Sequence, residues 1–135
     1  VHLVASGAVM PEVLAAAQEL CSEGVAAHVI DVTSADRWYG SWQRTLRQAV
    51  RTASAPSLPG PLWSVIGDRA PIVTIQDASS HAMAWMGSAI GVPCVSLGVD
   101  SFGQSGTVKD LYNMNDLSSG AIVNAALASL ALDNR

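Results

Sequence analysis

Charge is scarce in this 135-residue chain: Asp, Glu, Lys and Arg make up 13% of it, against 50% hydrophobic residues. Seven basic residues face eleven acidic ones, a net charge of −4. That balance offers no field for a phosphate backbone and argues against an electrostatic nucleic-acid binder. Cysteine is nearly absent. Cys21 and Cys94 stand far apart, outside any C-x-x-C or Cys/His cluster, so two reduced, buried thiols are expected and no metal site. No apolar run reaches membrane-spanning length, which leaves no membrane partner, and no charged, cleavable leader pattern is visible; a cytoplasmic setting is the expectation. Internal repeats, heptads and low-complexity blocks are also missing.

What the chain does have is enough apolar sequence for one ordinary domain, able to bury roughly two thirds of the surface its unfolded form exposes. With so few charges the remaining surface should also be rather apolar, as in a domain that leans on something else. The chain opens at Val1 inside a strand-like run, and residues 1–135 are expected to be one domain of a longer protein.

Short apolar runs alternate with helical patterns. His2-Leu3-Val4-Ala5 reads as a strand ending in Ser6-Gly7; Val9, Val13, Leu14, Ala17 and Leu20 then recur at helical spacing up to a stop at Glu23-Gly24. Val25 to Asp31 is a second strand, completing a right-handed βαβ unit with parallel strands. Asp36 to Val50 is helical at least from Ser41, and a Pro-rich connection runs from Ala53 to Pro61. A short helix over Leu62–Ile66, a strand over Ile72–Gln76, a helix from about His81 to Ile90 and a strand over Cys94–Leu97 follow. A short helix over Val108–Asn113 and a last one, capped by Ser118 or Ser119 and running to about Leu132, close the series. Nearly wholly apolar strands separated by helices mean an α/β fold with a parallel sheet covered on both faces.

The most distinctive stretch is Leu97-Gly98-Val99-Asp100-Ser101-Phe102-Gly103-Gln104-Ser105, a strand end emptying into a Gly-punctuated loop. It carries no nucleophile, no paired base and no ligand spacing. Together with the Ser6-Gly7 turn, the strand end Ile30-Asp31-Val32-Thr33-Ser34 and the acidic strand end at Asp77, it resembles the C-terminal domain of transketolase-like, thiamine-diphosphate-dependent enzymes. Within that superfamily, Val32-Thr33-Ser34 and the 97–105 loop look closest to the homodimeric, pyruvate-decarboxylating component of the pyruvate dehydrogenase complex. Gln76-Asp77-Ala78-Ser79-Ser80-His81 departs from the Glu-x-Gly or Glu-x-His with which transketolases often continue the third strand.

The resemblance implies a three-layer α/β/α domain with four parallel strands in the order 2-1-3-4, plus a possible antiparallel edge strand that precedes them. It implies a parent enzyme that decarboxylates pyruvate and passes the acyl group to a lipoyl carrier, with thiamine diphosphate and magnesium bound by two other domains and none in this part. The implied partners are those remaining domains, the second subunit of a homodimer and the lipoyl acyltransferase component; isolated, the domain should be inactive. Two other readings stay open: a domain of a transketolase moving two-carbon ketol units between sugar phosphates, and a free-standing flavodoxin-like binding or regulatory module.

In the implied topology Ser6-Gly7 and Gln76-Asp77 flank the crevice where open α/β sheets bind ligands. Ser6, Gly7, Asp77 and Ser79 are therefore candidates for an anion or small-molecule crevice, Ser6-Gly7 serving equally well as a plain tight turn. Asp77, Ser79 and His81 could converge, but a two-residue spacing at a helix start should point Ser79 and His81 apart, leaving Asp77 or Ser79 as a helix cap. His2 and His28 read as structural residues. Trp38, Tyr39, Trp42, Arg44 and Arg47 sit in an aromatic, Arg-rich segment suited either to a solvated helix face or to an interface, with Arg44, Arg47 and Arg51 on one face and Trp42, Leu46 and Val50 near another. In the signature loop, Asp100, Gly103 and Gln104 surround Phe102, which is expected to plug the core while the loop faces a subunit or active-site channel.

Overall fold

The computed structural model describes residues 1–135. Its elements run β1 (His2–Ser6), α1 (Met10–Ser22), β2 (His28–Asp31), α2 (Ala35–Thr52), α3 (Gly60–Ile66), β3 (Ile72–Gln76), α4 (His81–Ile90), β4 (Cys94–Leu97), α5 (Val108–Met114) and α6 (Ser119–Asp133). The four strands form one sheet in the order β2-β1-β3-β4, every pair parallel, as expected. No antiparallel edge strand accompanies them.

Alternation along the buried strands supplies both layers. Leu3 and Ala5 of β1 and Val73 and Ile75 of β3 face α1 and α6, meeting Val13, Ala16, Leu20, Ile122 and Ala126. Val4, Ile30 and Ile72 point the other way, onto Trp42 of α2, Leu62 and Ile66 of α3, and Met83, Met86 and Ile90 of α4. The buried Thr74 satisfies its hydroxyl across the register on Ser96, 2.9 Å away.

Several sequence expectations need correction. Val25 to Ala27 do not extend β2; after the left-handed turn at Gly24 the Val25 N–H closes onto the Leu20 carbonyl, and pairing begins only at His28. Leu14 is exposed and Ala16 takes its expected place in the core of α1. Cys21 is exposed, because one residue beyond the buried Leu20 lies about 100° around the helix, whereas Cys94 is half-buried. Val50 is 82% exposed; on α2 it is Ala49 that reaches the core.

Candidate functional site

The carboxyl ends of β1, β3 and β4 meet at one edge. There Gly7, with φ +89°, turns the chain from β1 toward α1, a conformation that favours glycine. Asp77 lies directly over it: a Cβ on Gly7 would sit 2.7 Å from Asp77 Oδ1. Ser6, Gly7 and Asp77 are thus brought together as expected, with the carboxylate covering the turn. An anion at this turn would meet a like charge.

Ser79, His81 and Asp100 form the second group. Ser79 Oγ lies 2.7 Å from His81 Nδ1 and donates to Asp100 Oδ1 at 3.0 Å. The two-residue spacing does not separate serine from histidine, contrary to expectation. Because the single hydroxyl proton goes to Asp100, His81 Nδ1 must donate to Ser79, leaving Nε2 as the free ring nitrogen. The order carboxylate–hydroxyl–imidazole differs from that of a nucleophilic triad, where the imidazole sits in the middle and receives the serine proton. Hydrogen bonds from Ser80, then the one from Ser79 and the charge of the nearby His81, hold Asp100 below the usual carboxylate range, so Asp100 is a poor base.

The expectation that Asp77 or Ser79 caps α4 also fails. Ser80 occupies the cap position without a side-chain cap bond, and its N–H donates to Asp100 Oδ1 at 2.9 Å. A carboxylate twenty residues downstream therefore does the capping. Gln76 Nε2 donates to Ser79 O at 2.6 Å, and Val99 N donates to Ala78 O at 2.8 Å, pinning the 77–80 turn from both sides. Gly98 permits this approach: a Cβ there would lie 2.5 Å from Ala78 O and from Ser80 N.

Phe102 does not plug the core. It is 97% exposed, because Val99, Leu117 and Tyr112 fill the space beneath the loop. Phe102, Gly103 and Gln104 instead line a cavity of about 210 Å³ with Asp77, Tyr112 and Met114. Burial first, then Asp77 and Glu12, raises the Tyr112 phenol above its ordinary range. Glu12 accepts from Ser119 N at 2.8 Å and so anchors the start of α6 to α1.

The other predicted residues lie elsewhere. Trp42 is in the core, which removes it as a free contact residue, whereas Trp38 is half-buried and packs partly against that core. Tyr39 stacks edge-on against Trp85, with ring centroids 5.4 Å apart, and Arg44 and Arg47 are exposed. At the opposite sheet edge, buried His2 places Nε2 2.6 Å from Asp68 Oδ1, with the exposed His28 ring edge-on to it. Sequence reasoning missed Asp68 and Glu12, and named Asp100 and Gln76 without their partners, since each acts on a partner in another turn or element.

The family model of the transketolase-like TK C-terminal domain matches residues 1–118. The chain belongs to this family. Among solved structures, a split-gene transketolase described as an inactive beta4 tetramer is similar at TM-score 0.67 and 23% identity, over 98% of this chain and 39% of that one. Transketolase from Pichia stipitis, in complex with sedoheptulose 7-phosphate, gives 0.65 and 16% identity over 97% of this chain. Transketolase from Campylobacter jejuni gives 0.58 and 19% over 94%. This transketolase-like C-terminal domain spans 16% of each of those two chains. Among curated proteins none matches it. No helix is long and apolar enough to cross a membrane.

No group of three His, Cys, Asp or Glu side chains is placed to hold a metal ion, and the Asp77 carboxylate lies over the Gly7 turn.

Proposed function

We propose that this chain is a non-catalytic docking domain of a thiamine-diphosphate-dependent enzyme that moves a two-carbon unit, the cofactor and its magnesium being held by other domains of the same protein. The observation that carries this reading is the family match over residues 1–118, in a domain where Asp100 and Glu12 are engaged in capping and pinning its own backbone. The carboxyl edge, with exposed Phe102 and the cavity beside it, is the surface that would face those domains or a second subunit.

The acceptor has two candidates. Similarity to transketolases supports ketol transfer between sugar phosphates. The Val32-Thr33-Ser34 and Leu97–Ser105 segments support pyruvate decarboxylation with acyl transfer to a lipoyl carrier, in which case the lipoyl acyltransferase would be a further partner. Assaying the full-length protein with pyruvate and a lipoyl domain, and separately with a ketose phosphate donor and an aldose phosphate acceptor, separates them. Calorimetry of this chain with thiamine diphosphate and magnesium should show no binding; saturable binding would overturn the division of labour.

A further inference from the structure

The charge on this protein is segregated. Helix α2 carries Arg37, Arg44, Arg47 and Arg51 against Asp36 alone, a balance of +3, so the rest of a chain of net charge −4 carries −7. Arg37, Arg44 and Arg51 recur every seventh residue and Arg47 lies between the last two. At 3.6 residues per turn all four fall on one stripe about 20 Å long, opposite the side on which Trp42 and Ala49 enter the core. All four are exposed, and none lies within 4.0 Å of a carboxylate, the one ion pair in the structure being His2–Asp68. Gly40 lies within the stripe and contributes no side chain between the guanidinium groups. Val50, 82% exposed, and Tyr39, 44% exposed, lie on one flank.

Apart from Arg51 in the last turn of α2, such a stripe gains little for the fold. Four like charges within about one Debye length of their neighbours repel one another, and α2 is already held by its inner face. Guanidinium forks pair bidentately with carboxylates, and an apolar flank beside them suits a packed protein contact. A seven-residue spacing matches the rise of a second helix lying alongside at a shallow angle. Duplex DNA or an anionic bilayer would extend past the stripe and meet the −7 carried by the remaining surface, whereas a helix contacts the stripe alone.

We propose that the outer face of α2 docks an acidic helix, one that presents carboxylates at seven-residue intervals along a single face. This surface is separate from the carboxyl edge and stands whether or not the thiamine reading holds.

The test uses a labelled, Ala-rich helical peptide of about 22 residues with Glu at every seventh position and at one intervening i+3 position, titrated into the protein by fluorescence anisotropy. Saturable binding is expected, weakened about 30-fold by Arg44→Gln, Arg47→Gln and Arg51→Gln together, and weakened on raising salt from about 0.05 to 0.3 M. Gln is a good helix former, so the triple variant should keep the parent's circular dichroism and melting temperature. A peptide with the same Glu count spread around the helix should bind at least about 10-fold more weakly, since fewer carboxylates can reach the stripe at once. No saturable binding, unchanged affinity in the triple variant, equal binding of both peptides, or tighter binding of duplex DNA or phosphatidylserine vesicles would each overturn the proposal. So would Arg-dependent self-association without peptide binding.

Discussion

Gly98→Ala tests the central packing statement about the carboxyl edge. The added methyl would lie 2.5 Å from Ala78 O, 2.5 Å from Ser80 N and 2.7 Å from Ser80 Cα, all of them backbone atoms that cannot swing aside. Relief requires the loop after β4 to lift from the 77–80 turn, loosening the Val99 N–H to Ala78 O bond and the Asp100 cap. Overpacking of this kind costs about 1–3 kcal/mol, and the strained backbone hydrogen bond adds about 1 kcal/mol. The φ of Gly98 lies outside the left-handed region, so alanine suits the backbone and restricts the unfolded chain, returning about 0.4–1 kcal/mol. The net loss is about 1–3.5 kcal/mol, or roughly 4–14 °C in melting temperature for a domain of this size. Urea or thermal unfolding followed by circular dichroism reads it directly. Gly103→Ala is the matched control, in the same loop with nothing within 4 Å of its built Cβ, and should be neutral or slightly stabilising. If the two variants unfold alike, the close approach at Gly98 is not what fixes the loop.

Phe102→Ala should change stability by less than about 0.5 kcal/mol, because the ring is 97% exposed; a loss of several kcal/mol on urea unfolding would return it to the core. Asp100 has a folded pKa below its unfolded value, so its contribution is complete above about pH 3.9 and fades as pH falls through the folded pKa. Asp100→Asn should therefore flatten the acid limb of the stability profile, and parallel profiles would refute the capping role. Exposed Cys21 should react rapidly with a thiol reagent, while Cys94, its thiol raised chiefly by burial, should react much more slowly in the native protein; equal native rates would contradict this.

The sheet was legible because its signals are local. Cys94–Leu97 and His81–Ile90 are bounded as the sequence reading places them, since apolar runs and glycine stops sit within a few residues of the boundaries they set. Leu14, Ala16 and Val50 went astray for a different reason: apolar spacing marks a helical face only to within about one residue, or 100° of rotation. The site was less legible still. Nothing near Asp100 announces that its carboxylate reaches the N–H of Ser80, and nothing near Glu12 points to Ser119. Such contacts exist only once the crossovers have brought strand ends together.

Phe102 shows why that limit bears on function. A lone aromatic among glycines reads as a core plug because burying an aromatic ring is so favourable. Here the smaller Val99, with Leu117 and Tyr112, closes the core, and the ring stays in solvent beside an open cavity. Two acids of this edge are already engaged, Asp100 by Ser79 and Ser80 and Glu12 by the start of α6, while Asp77 lies over Gly7. An exposed aromatic beside an open cavity suits a contact surface. Turnover of substrate by the isolated domain would contradict the proposed docking role.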